Sequence, residues 1–415
     1  MEAQPLLKRY NRITIFTVML FIICFTAQYS SADDWPQWRG PDRNGVSNET
    51  GWSAYWSESG PEELWRLSVG TGYSSVIVVD NRLYTMGNID KQDIIYCLDA
   101  TTGKEIWKHS YPAASSGAGY PGPASTPAFD HDRLYIFGRE GHLVCLDANS
   151  GEPVWSKHSA DFGANLPEWG FASSPLVYDN MVIVDAGMTL ALNKSNGNLI
   201  WKTKDYGDAW DIKNQGGGYS APVVFDFNGK KLLAVFNSSG LTILDPNDGS
   251  ELMQHPWKTA YNVNAATPII KDDKIFISSG YNVGGALLQV SENGLSEIWK
   301  NKEMRNHFNS CVLWNDYLYG FDESEVKCLD WNTGQAKWGQ RGYGKGSLMI
   351  ADGKLIIMSD KGKLAIAEAS PEAFKELSSA KVLSGLCWTV PVLANGKIYC
   401  RNHDDGELVC LNVKN

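Results

Sequence analysis

The chain has 415 residues, 43% of them hydrophobic and 20% charged, with 16 Trp and 40 Gly, which describes an aromatic-rich, turn-rich globular protein with material for a large core. The formal net charge of −10 argues against a phosphate-backbone binder, which needs a basic footprint. The sequence also carries no heptad or low-complexity segment, so coiled-coil and disordered classes are set aside.

The first 32 residues read as a processing signal. Lys8, Arg9 and Arg12 form a positive n-region, Ile13 to Ala27 is apolar, and Ser30-Ser31-Ala32 presents small residues to a signal peptidase. Cleavage after Ala32 is expected. The alternative is an uncleaved anchor helix, although 15 apolar residues fall short of the ~20 a span requires. A lipoprotein anchor at Cys24 is disfavoured, because Phe21-Ile22-Ile23 lacks the small residues of such sites. Both main readings imply export, with no membrane span once the signal is removed. Residues 33–62 show no repeat pattern but hold Trp35, Trp38, Trp52 and Trp56. So aromatic a leader is expected to drape over the body of the protein.

From residue 63 onward one pattern recurs. Its clearest copy is Ser125 to Trp155, STPAFDHDRLYIFGREGHLVCLDANSGEPVW, which reads as four short strands separated by Gly-, Asp- and Asn-bearing turns. Copies open at Ser75, Ser125, Ser174, Ala221, Thr267, Ser310, Ser347 and Thr389. Trp107, Trp155, Trp201, Trp299 and Trp338 recur in the fourth strand, and Met253 replaces Trp in the fourth copy. The seventh copy degenerates there, and the eighth stops after Cys410 with three strands. The missing strand is found at the other end, in Glu63-Leu64-Trp65-Arg66-Leu67. Closing the circle with it gives an all-β, eight-bladed propeller over residues 63–415, leaving only short protected edges. An open solenoid would need caps, and neither end resembles one.

The consensus (S/T)-P-x-V-x-D-x-x-L-Y…G-x-L-x-C-L-D-A-x-(T/S)-G-x-x-x-W resembles the PQQ-like propeller family. The leader Trp35-Pro36-Gln37-Trp38-Arg39-Gly40 is similar to the opening of secreted members. The resemblance implies the fold and two functional camps: dehydrogenases that hold pyrroloquinoline quinone and Ca²⁺, and non-catalytic scaffolds such as the propeller lipoprotein of the outer-membrane β-barrel assembly machine. Fold alone does not choose between them.

Residues shared by the copies are assigned to the scaffold. Trp65, Trp107, Trp155, Trp201, Trp299 and Trp338 are expected to pack blade on blade, and Asp99, Asp147, Asp245 and Asp330 to cap turns. Cys97, Cys145, Cys328 and Cys410 share a position that other copies fill with Ala191, Ile243 or Ile366, so they read as small buried hydrophobes. A Cys400–Cys410 disulfide across the last hairpin stays open as a possibility. The site is expected where copies differ, in the segments before each inner strand. These place Tyr73, Trp169, Tyr219, Asn264, His307, Asn309, Lys345 and Trp388 at one mouth of the channel. Flat aromatic and amide groups suit a planar or carbohydrate-like ligand or a peptide loop; the bland reading is that they fill and solvate a narrow channel.

Those segments offer no Asp or Glu for Ca²⁺, which takes six to eight oxygens. Only Asp161, Glu168, Asp208 and Asp211 in longer connections are placed to reach in. The adjacent cysteines of the dehydrogenases, haem motifs, HExxH, GxSxG and Walker signatures are all missing from the sequence. The reading is therefore an exported, periplasmic or extracellular, monomeric and non-catalytic binding or scaffolding module, without cofactor or metal, whose partner is an envelope or extracellular protein. The alternatives are a quinoprotein alcohol or sugar oxidoreductase using pyrroloquinoline quinone and Ca²⁺, and a polysaccharide-binding module.

Overall fold

A computed structural model describes residues 1, 34–114, 120–207 and 217–414. The chain separates into units Met1–Ser31 and Ala32–Asn415, and every blade belongs to the second. Apart from Met1, the signal segment expected over residues 1–32, Cys24 included, lies outside the described residues.

Each repeat forms one antiparallel sheet, because its short apolar runs alternate faces and its turns tolerate positive φ. The first blade is Ile77–Val79, Arg82–Ile89, Gln92–Asp99 and Glu105–Pro112, in that spatial order. Six more sheets repeat this order, and their inner strands surround the channel. Two-residue turns join inner to second strands. Asp80-Asn81, Asn228-Gly229, Asn315-Asp316, Asp352-Gly353 and Asn395-Gly396 have positive φ at both positions, the geometry whose twist matches a hairpin. The eighth sheet contains Val392–Ala394, Lys397–Arg401, Glu407–Asn412 and, as its fourth strand, Glu62–Ser68. Trp65 pairs with Cys410 and Arg66 with Val409, so the expected N-terminal strand closes the ring.

Blade-to-blade contacts run at two radii. Near the rim, the indole N–H of each outer-strand Trp donates to a carbonyl in the next blade's last turn. Trp65 reaches Ala100 (3.2 Å), Trp107 Ala148 (3.1 Å), Trp155 Lys194 (2.9 Å), Trp201 Pro246 (3.0 Å), Trp299 Trp331 (2.9 Å) and Trp338 Ser370 (2.8 Å). The turn's Asp sets that carbonyl: Asp99 Oδ1 accepts from the backbone of Thr101 and Thr102, and Asp147 and Asp330 repeat the pattern. Burying an indole of roughly 150–250 Å² contributes up to about 4–6 kcal/mol per blade at ~25 cal/mol per Å². In the fourth blade, where Met253 replaces Trp, the buried Trp257 instead donates to Ser279 Oγ of the fifth (3.1 Å). Near the axis, the Ser or Thr that opens a repeat links neighbours. Ser75 N donates to Thr126 Oγ1, Thr126 N to Ser174 Oγ, Thr267 N to Ser310 Oγ, and Ser347 Oγ to the Thr389 carbonyl.

The leader threads the channel from the side opposite the mouth. Trp35 bridges Val78 of the first blade, Phe129 N of the second donates to Pro36 O, and Arg43 donates to the Ser174 and Pro175 carbonyls of the third. Arg39 reaches the Cys311 carbonyl of the sixth blade, and Val46–Ser47 adds a parallel strand inside the seventh. The Glu49 carboxylate accepts from Asn395 N and Gly396 N of the eighth.

The seven cysteines among the described residues are all buried thiols. The open possibility of a Cys400–Cys410 disulfide is corrected by register. Cys400 pairs with Val409 and Cys410 with Tyr399, so the two side chains leave opposite faces of the sheet.

Candidate functional site

At the other end the channel opens into a cup of about 330 Å³, within the range of small-molecule and side-chain pockets. Every blade contributes to its wall, from Tyr73 of the first to Trp388 of the eighth, and Trp38 of the leader faces it from below, held by a hydrogen bond to Thr267 Oγ1 (3.0 Å). Seven of the eight residues expected at the mouth line it: Tyr73, Trp169, Tyr219, His307, Asn309, Lys345 and Trp388. Asn264 does not. Its amide is buried behind the wall, donating to Asn237 O (2.8 Å) and accepting from Ser279 Oγ (2.8 Å). That correction has a simple cause: an amide with both ends engaged braces a loop and has nothing left to offer a ligand.

Aromatic rings follow one another around the cup. Tyr73 and Tyr120 both lie about 6 Å from Trp388, which packs on Phe308 at 4.3 Å; His307, Tyr281, Tyr261 and Trp169 continue the series at 4.7–5.7 Å. Tyr261, Tyr281 and the neighbouring Glu323 have φ of 63°, 54° and 53°, a region that bulky side chains rarely adopt and that clusters at functional sites.

The polar groups are mostly donors. Lys345 Nζ lies 2.8 Å from His307 Nδ1 and 3.2 Å from Glu323 Oε2. Burial, and then the Lys345 charge, lowers the His307 pKa against the opposing pull of Glu323, so Nδ1 of a neutral imidazole accepts from the ammonium. Tyr73 Oη meets His403 Nε2 at 3.0 Å with the rings stacked at 4.1 Å. Burial raises the Tyr73 and Tyr219 hydroxyl pKa values, keeping both protonated. Arg139, 4% exposed, donates Nη1 to Gly122 O (3.0 Å) while its buried Nε finds no acceptor. Tyr219 Oη and Trp388 Nε1 are also buried without a completed hydrogen bond.

Arg139, Tyr281, Glu323 and His403 are not among the residues expected from sequence; His307 alone is placed at the mouth among the histidines. All four sit in turns between second and third strands. In an antiparallel blade the chain reverses once between the inner strand's entry and that turn, running down the inner strand and back up the second, so both lie on one face. That strand arithmetic was the available signal.

The donor set does not fit a quinone–calcium centre. No carboxylate lines the cup among the described residues, and Glu323 is committed to Lys345. Asp161 caps its own short turn by accepting from His158 N, Glu168 is exposed beside Trp169 and is not in the cup's lining, and Asp208 and Asp211 lie outside the described residues. Among those residues no cluster of three metal-ligating side chains occurs.

The fold and this cup define an eight-bladed β-propeller whose axial channel is backed by an N-terminal leader. A family profile described as "Outer membrane protein assembly factor BamB" matches residues 90–340, and the chain belongs to that family of PQQ-like propellers. It is similar to the outer membrane protein assembly factor BamB of Shewanella oneidensis, 24% identical over 359 residues that cover 74% of this chain and 88% of the relative. It is also similar to the tetrathionate hydrolase of Acidithiobacillus ferrooxidans, 23% identical over 239 residues, covering 53% of this chain and 44% of that enzyme's length. Among solved structures, BamB from Moraxella catarrhalis superposes with a TM-score of 0.63 at 14% identity, over 85% of this chain and 99% of that one, a likeness of fold.

Proposed function

We propose that this protein is an exported, non-catalytic binding module that holds a segment of an envelope protein in its axial cup. The observation that carries the reading is the cup itself, a ring of aromatic faces around buried hydrogen-bond donors. Family membership supports it, since the relatives matched over most of their length are named for assembling outer membrane proteins. Among the described residues no helix is long and apolar enough to cross a membrane.

Affinity capture of partners from an envelope extract by wild type and by a Trp169→Ala/Trp388→Ala variant tests the reading. A partner recovered by the wild type and lost by the variant supports it. Equal recovery moves the contact to a blade edge or the leader. Incubation with pyrroloquinoline quinone and Ca²⁺ is the companion assay: a stoichiometric chromophore with alcohol- or sugar-dependent dye reduction would overturn it.

A further inference from the structure

The polar groups that reach the cup are unbalanced in sign. Arg139 stands in the wall with no carboxylate in ion-pairing distance among the described residues, one guanidinium nitrogen on a carbonyl, and its buried Nε unpartnered. Keeping a buried charge without a direct ion pair is costly; burial lowers the Arg139 pKa, opposed from beyond ion-pairing distance by Asp93 and Glu140 and by the Tyr73 and Tyr219 hydroxyls. Tyr219 Oη, before the fourth blade, and Trp388 Nε1, before the eighth, add buried hydrogen-bonding groups without a completed partner elsewhere around the cup. An indole N–H only donates, and a guanidinium only donates. Lys345 is paired directly with Glu323, so among the described residues Arg139 is the cation of the cup wall that has no direct ion-pair partner. The exposed Asp404 beside His403 turns its carboxylate to Leu386 N and does not reach the guanidinium.

We infer that the segment entering the cup is acidic: a carboxylate from a partner peptide seats on Arg139, its neighbouring flat groups lying between Trp169, Phe308 and Trp388. This rests on the peptide-binding reading above and specifies the chemistry of its ligand. A carboxylate fits a guanidinium fork and accepts from several donors at once. The aromatic walls exclude water from the pair, which strengthens it. A neutral amide of the same shape forfeits the charge and presents N–H groups to a wall already rich in donors.

Calorimetric titration with indole-3-acetate, indole-3-acetamide and tryptamine isolates charge on one ring system. The peptide acetyl-Phe-Glu-Phe-amide and its Gln counterpart ask the same question of a peptide carboxylate. The expected result is at least tenfold tighter binding of the acid in both pairs, weakening with salt and disappearing in Arg139→Gln. Because Arg139 also braces Gly122, Tyr219→Phe provides a second variant, expected to weaken the acid severalfold with an unchanged melting temperature. Equal binding of acid and amide, preference for tryptamine, or no binding by any probe overturns the acidic assignment. Acid preference in the indole pair alone overturns the peptide as its source. If capture still depends on Trp169 and Trp388 while acid preference is absent, the peptide-binding reading survives and this inference falls. If capture ignores both tryptophans and no probe binds, both fall.

Discussion

Trp155 and Gly197 show how single residues hold the ring. Gly197 has φ of +71°, and a Cβ there would stand 2.7 Å from the Trp155 ring. Gly197→Ala therefore meets a positive φ and a rigid indole together, and is expected to lower stability by about 1–3 kcal/mol, read as a shifted denaturant midpoint. Trp155→Phe keeps most of the packing but strips the donor from the Lys194 carbonyl, with an expected loss of about 1–2 kcal/mol. A different signature is expected of Asp185, fully buried and accepting from Gly187 N and Gly218 N. Burial pushes its pKa up to about 7, against those two hydrogen bonds. Its folded pKa thus exceeds the unfolded value of ~3.9. The folded state then binds more protons between those limits, and this group's contribution to stability rises as pH falls through about 7. Asp185→Asn has no such titration. The melting temperature of wild type relative to the variant should increase between pH 8 and pH 5; a constant difference would show that Asp185 is ionised throughout.

Among elements, the leader is held by side chains whose partners are backbone carbonyls. Arg43 is buried and donates to Ser174 O and Pro175 O. Arg43→Met removes the charge but abandons both carbonyls, so a net loss of about 1–3 kcal/mol is expected, measured by thermal or denaturant melting. Legibility in the sequence divides along the same line between scaffold and particular contact. Strands, turns, the Trp position and ring closure are legible because they repeat, and repetition exposes what the scaffold requires. The mouth is legible only through the segments preceding inner strands, which supply Trp169, Tyr219 and Trp388. Arg139 is hidden in Gly138-Arg139-Glu140-Gly141, which reads as an ordinary hairpin turn until the strand directions put it on the same face. Asn264 fails for the converse reason: its segment is at the mouth, yet hydrogen bonds to Asn237 and Ser279 turn the amide inward. Trp38 lies beyond reach, since nothing in a non-repeating leader states which end of the channel it enters.

For the molecule as a whole, the N-terminal segment has two separable duties that two truncations distinguish. Residues 34–54 contact seven of the eight blades from within the channel, whereas Glu62–Ser68 completes the eighth sheet. Removing 33–61 keeps the closing strand and with it the Trp65 bond to Ala100. The ring is then expected to melt cooperatively at a reduced temperature, and the cup to lose the Trp38 floor and so bind its ligand more weakly. Removing 33–68 also takes the outer strand of the eighth blade. Glu407–Asn412 is left with an unpaired edge, and the interface between first and last blades loses its indole anchor. Exposed edges of this kind recruit other chains, so a broad, less cooperative melt and higher-order species in size-exclusion chromatography are expected. Identical melting of the two truncations would place closure elsewhere than in Glu62–Ser68. A shorter truncation as unstable as the longer one would instead make the axial leader, rather than the eighth blade's fourth strand, the element that keeps the ring shut.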